Sequence, residues 1–133
     1  MYITREADYA VRCVLYLSEE PERSASVHEI SEFTDVPRSF LAKILQRLSG
    51  RGIVMSRRGV KGGFQLLRRP KNINLLEVIE AIQGPSAMSA CAIDKRMCNR
   101  SSTCSVHPLW VKIRGDVEER LKKENFAKLV KKK

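Results

Sequence analysis

The 133-residue chain contains no run of about 18 consecutive apolar residues, which excludes a membrane-spanning helix. The stretch from Met1 to Glu6 lacks the basic start and apolar core of a secretion signal, so a cytoplasmic location is expected. Internal repeats and low-complexity tracts are absent. So are the constellations of an enzyme: there is no nucleophile–base pair, no phosphate-binding loop and no acid pair at a workable spacing. Acidic residues are scarce beside basic ones, 15 against 25, leaving a formal net charge of +10. An excess of that sign favours a polyanionic partner, because bound phosphates release their condensed counterions.

Hydrophobic residues form 43% of the chain, enough for a packed core rather than a disordered segment. Helical spacing of Ala7, Ala10, Val11, Val14 and Leu15 predicts a first helix from about Arg5 to Ser18, with Thr4 as its N-cap. Cys13 lies beside that apolar face and reads as a small buried hydrophobe. A turn over Pro21 to Ser24 precedes Ser26 and Glu29, spaced as a capping box, and a short helix with Val27 and Ile30 inward. After a tight turn at Thr34 to Val36, Pro37 suits the first position of a third helix. There Phe40, Leu41, Ile44, Leu45 and Leu48 form the apolar stripe.

Two helices joined by so short a turn read as helix-turn-helix. The outward residues of the second are Arg38, Ser39, Ala42, Lys43, Gln46 and Arg47, with no acid among them. That mixture of cations, hydroxyl and amide suits phosphates and base edges in a major groove. Two short apolar runs, Ile53 to Ser56 and Phe64 to Leu67, flank a basic, Gly-rich tip that carries Arg57, Arg58 and Lys61. A hairpin in this position makes a winged helix, whose arginines can enter a minor groove. Asn74 with Glu77 starts a fourth helix with Leu75, Val78, Ile79 and Ile82 on its apolar face, and Gly84 and Pro85 stop it.

From Ser86 the periodicity disappears. Cys91, Cys98, Cys104 and His107 then fall within 17 residues of loop-like sequence. Thiolates are the soft ligands preferred by iron–sulfur clusters and by zinc, and three cysteines with a histidine satisfy either. Redox-active free thiols are the third reading. Pro108 restarts a helix in which Trp110, Ile113, Val117 and Leu121 make a narrow stripe between charged flanks, as suits packing against one other helix, most economically that of a second copy. Asn125 can cap a last short turn through Phe126 and Leu129, and Lys131 to Lys133 read as a basic tail.

The chain resembles the Rrf-type winged-helix transcription regulators over nearly its whole length. The resemblance rests on Ala10 and Val11, on the run from Pro37 to Leu45, on Arg58 to Phe64, on Leu76 to Ile79, on the three cysteines, and on Phe126 to Val130. It implies a homodimeric DNA-binding regulator holding an iron–sulfur cluster near its dimer interface. Cys104, His107 and Trp110 look most like the IscR-like branch, which implies a 2Fe–2S cluster on Cys91, Cys98, Cys104 and His107. Here six residues separate the first two cysteines, where that branch has five. A second branch of the family has an Asp at a similar place in its first helix, given by the partner subunit to a 4Fe–4S cluster, so the resemblance also implies Asp8 as the alternative fourth ligand.

The expected architecture is therefore mainly α with a small β-hairpin wing: a winged helix-turn-helix over residues 1–84, a cluster loop over 85–107, and a dimerisation helix and tail over 108–133. The expected function is a cytoplasmic, homodimeric, sequence-specific regulator that binds double-stranded DNA at a pseudo-palindromic operator and senses iron–sulfur status, oxidants or nitric oxide. A regulator of the same fold using zinc or thiols is the first rival. An iron–sulfur electron carrier is the second, although a carrier has no use for a helix-turn-helix and a basic wing.

Overall fold

A computed structural model describes residues 2–60 and 62–130; Lys61 in the wing and the basic tail from Lys131 to Lys133 lie outside the described residues. Helix α1 spans Arg5–Glu19, and Thr4 caps it by accepting from the Ala7 N–H. Helices α2 (Val27–Thr34) and α3 (Arg38–Gly50) form the helix-turn-helix. Asp35, in the left-handed conformation at φ 57°, makes the turn between them. Pro37 occupies the cap position rather than the first helical one, which fits a residue with no N–H to offer.

Strands β1 (Val54–Arg57) and β2 (Gly63–Leu66) pair antiparallel, with Val54 opposite Leu66 and Arg57 opposite Gly63. Ala25 adds a one-residue third rung, exchanging both backbone hydrogen bonds with Phe64 at 2.9 and 2.8 Å. The rung brings backbone against Gly63, where a Cβ would lie 2.2 Å from the Ala25 carbonyl oxygen. Helix α4 spans Leu75–Gln83 with the full reciprocal capping box between Asn74 and Glu77. Helices α5 (His107–Lys123) and α6 (Phe126–Val130) complete the chain.

The core is built from α1, the inner faces of α3 and α4, and the base of the wing. Val14, Ile30, Leu41, Leu45, Leu48, Ile53, Ile73 and Val78 are buried in it, as is Cys13. Burial pushes the Cys13 thiol up to about 12, which keeps it neutral and inert, as a small hydrophobe should be. Phe40, expected in the stripe of α3, is 39% exposed and rests edge-on against Tyr9 of α1 at 5.6 Å. It sits at the rim because four aliphatic residues already fill the inner face of its helix.

The C-terminal segment divides in two. Helix α5 buries none of its residues, and Leu109 and Val111 stand exposed on it. Helix α6 returns to the core: Phe126 is fully buried, its N–H donates to the Ile73 carbonyl at 3.2 Å, and the Leu75 N–H donates to the Glu124 carbonyl at 2.8 Å. Residues beyond 108 therefore complete the N-terminal core as well as carrying an outward helix.

Candidate nucleic-acid interface and cysteine loop

The outer face of α3 presents Arg38, Ser39, Ala42, Lys43 and Gln46, all exposed. Arg47 is exposed too, but its guanidinium is engaged: Nη1 donates to the Ile82 carbonyl at 2.9 Å, in the last turn of α4. At the wing, Arg57 and Arg58 are exposed. The tip closes with the Gly62 N–H donating to the Gly59 carbonyl at 2.9 Å. A Cβ on Gly62 would lie 2.5 Å from the Arg57 carbonyl oxygen, so only glycine allows this turn.

Several side chains that sequence patterns did not single out fix the reader's geometry. Arg12 of α1 donates Nη1 to the Thr34 carbonyl at 3.0 Å, at the end of α2, and pairs with Asp8 at 3.1 Å. Arg68 donates to the Gly52 and Asn72 carbonyls, both at 3.1 Å, and to the Glu77 carboxylate, binding the wing's exit to the start of α4. Glu29 does not complete the capping box expected of it. Ser26 accepts from the Glu29 N–H at 3.0 Å, but the Glu29 carboxylate takes Arg23 at 2.5 and 2.6 Å and the Tyr16 hydroxyl. The hydrogen bonds from Arg23 hold that carboxylate below its ordinary pKa against the opposing effect of burial.

The cysteine loop carries two short 3-10 turns, Ala90–Ala92 and Lys95–Met97. Cys91 sits in the first and is nearly buried. Its Sγ lies 3.2 Å from Nδ1 of His107, the first residue of α5, and 3.4 Å from the Ser89 hydroxyl. Cys98 follows the second turn and is exposed, as is Cys104. The Ser101 hydroxyl, within reach of the Lys95 carbonyl at 2.8 Å and the Cys98 carbonyl at 3.0 Å, folds the turn between these two cysteines. Arg114 of α5 donates Nη1 to the Ala92 carbonyl at 2.9 Å and pairs with Glu118, so the loop is fastened to α5. Serines and an arginine have no recognisable spacing of their own, which is why neither Ser101 nor Arg114 stands out in the sequence.

Of the expected ligands, Cys91 and His107 converge. Cys98 and Cys104 do not join them, and among the described residues no three His, Cys, Asp or Glu side chains gather at metal-binding distance. Asp8 is committed to Arg12 on exposed helix surface. The donor set nevertheless suits a soft metal centre: one sulfur–nitrogen pair is already together, and two unpaired thiols lie on the same short loop.

Helix-turn-helix, basic wing and exposed cationic helix face together define a winged-helix DNA-binding transcription regulator. A family model described as "Rrf2: Iron-dependent Transcriptional regulator" matches residues 3–132, and the chain belongs to that family. An Aquifex aeolicus (strain VF5) protein assigned as an HTH-type transcriptional regulator is 30% identical over 124 residues, 92% of this chain and 86% of its own. Among solved structures, T. potens IscR superposes with a TM-score of 0.80 at 22% identity, covering 99% of this chain and 88% of its own. CymR, titled the global cysteine regulator of B. subtilis, superposes with a TM-score of 0.81 at 22% identity, covering 100% and 98%. At that identity the two structures establish the winged-helix fold. Among the described residues no helix is long and apolar enough to cross a membrane.

Proposed function

We propose that this regulator acts as a homodimer and holds an iron–sulfur cluster, 2Fe–2S in type, on Cys91, Cys98, Cys104 and His107. The observation that carries the reading is the approach of Cys91 Sγ to His107 Nδ1 across 16 positions of sequence, in a loop that also holds the other two thiols. The family's description as iron-dependent agrees with it. A bound cluster would supply a redox-active centre, with a potential raised by its nitrogen ligand.

The chain's own residues do the rest. Ser101 and Arg114 shape the loop and fasten it to α5. Arg38, Ser39 and Lys43 enter the major groove, and Arg57, Arg58 and Lys61 hold the flanking phosphates or minor groove. The exposed Leu109 and Val111 of α5, rather than the expected seam of Trp110, Ile113, Val117 and Leu121, which is half-buried with Leu121 against this chain's own core, suit a second copy, which would space two recognition helices for a pseudo-palindromic site about one turn of DNA apart. A change in the loop then shifts the balance between two arrangements of the reader, which is how iron–sulfur status, oxidants or nitric oxide would change DNA affinity.

The exposure of Cys98 and Cys104 as free thiols supports a second reading, a thiol or zinc switch on the same loop. Metal and sulfide content separates the two. The DNA-reading half is tested independently, by selecting a binding site from a randomised duplex pool and titrating salt. Arg58→Ala is expected to lower affinity and to reduce the salt slope by about 1. An unchanged slope would remove the wing from the interface.

A further inference from the structure

Arg47 stands apart from the other cations of α3. Seven residues after Phe40, it lies on the Phe40 side of the helix, the side that meets Tyr9 of α1. Its guanidinium reaches away from the outer face to the Ile82 carbonyl. That carbonyl is one of the last four of α4, which have no partner within their own helix. The last turn of α4 contains no basic residue of its own, so Arg47 supplies both the missing donor and the positive charge favoured at a helix C-terminus.

The end of α4 is also where other parts of the molecule meet. Gln83 accepts from the Thr4 N–H at 3.0 Å and donates to the Tyr2 carbonyl at 3.1 Å, fixing the start of α1. Gly84, at φ 71°, donates its N–H to the Glu80 carbonyl at 3.0 Å and turns the chain out of the helix towards the cysteine loop. Seven residues later the loop reaches Cys91, beside the Ala92 carbonyl that Arg114 holds. The last turn of α4 thus touches the recognition helix through Arg47 and continues covalently into the loop.

We propose that Arg47 is a positioning residue that couples the cysteine loop to the recognition helix, holding α3 to the turn of α4 from which the loop departs, and is not a phosphate contact. The coupling half of the inference rests on the proposed regulator reading; the positioning half does not. A displacement of the loop that moves the end of α4 is carried to α3 through this bond, at the edge of the core the two helices share, and the tilt of the reader changes with it.

The test compares Arg47→Gln with Lys43→Ala in the full-length protein, using the selected duplex as probe. Three quantities are read: the salt slope of binding, the amide exchange of Gly84, and the ratio of affinities between anaerobically reconstituted and metal-stripped protein. Lys43→Ala, which removes a groove-facing cation, is expected to lower the slope by about 0.9. Arg47→Gln is expected to leave the slope at the wild-type value, to speed Gly84 exchange about fivefold, and to bring the affinity ratio roughly fivefold closer to one. A slope lowered as in Lys43→Ala, or Gly84 exchange unchanged, overturns the positioning role. A wild-type ratio on either side of one that Arg47→Gln leaves intact overturns the coupling. A wild-type ratio of one sinks the sensor reading and the coupling with it, and the positioning role is still decided by the slope and the exchange rate.

Discussion

The Glu29 carboxylate joins three parts of the chain, accepting from Arg23 in the turn before α2 and from the Tyr16 hydroxyl of α1. Hydrogen bonding from Arg23 lowers its pKa below the ordinary 4.5. A carboxylate whose folded pKa is depressed stabilises the fold above its unfolded pKa and loses that contribution as pH falls through the folded value. Glu29→Gln is therefore expected to cost on the order of 1 kcal/mol or less at neutral pH, because the group is partly solvated. The gap between wild type and variant should close below pH 4.5, as denaturant titrations along a pH series would show. Spacing in the sequence pairs Glu29 with Ser26 alone. Arg23 and Tyr16 compete for the same oxygens through the tertiary fold, and a motif confined to four residues cannot register them. Asn74 and Glu77 do form the box, and there too Glu77 keeps an oxygen for Arg68.

Among the elements, α1 to α4 and the wing were legible, because their apolar spacing and their breakers, Pro37 and Gly84, coincide with real ends. The expected hairpin runs differ from β1 and β2 by a residue at each end. Helix α6 was legible as a short capped turn, and Asn125 does accept from the Lys128 N–H at 3.0 Å. Its destination was not: a single Phe in a five-residue helix gives no periodicity to show that it closes the N-terminal core. Phe126→Ala is expected to destabilise the whole domain by about 3–5 kcal/mol and to lower the cooperative thermal transition monitored at α1. A loss confined to dimer dissociation, with the monomer's transition unmoved, would show that α6 is not part of that core.

For the molecule as a whole, the chain passes from the reader to the loop through the end of α4, and α5 leaves the apolar Leu109 and Val111 exposed. The proposed ligands show how far the sequence reaches. Clustering of Cys91, Cys98, Cys104 and His107 in 17 residues was visible, and the fold brings the first and last of them to 3.2 Å. What spacing could not convey is that Cys98 and Cys104 ride on turns shaped by Ser101, facing outward.

The proposal that the loop is a cluster site is tested most directly by the visible absorption spectrum of anaerobically purified protein, with iron and sulfide counted per chain. Charge-transfer absorption with about two irons per chain is expected, lost in His107→Ala and kept in Asp8→Ala. A protein that stays colourless after anaerobic reconstitution, or one with about four irons per chain that depend on Asp8 rather than His107, would contradict it.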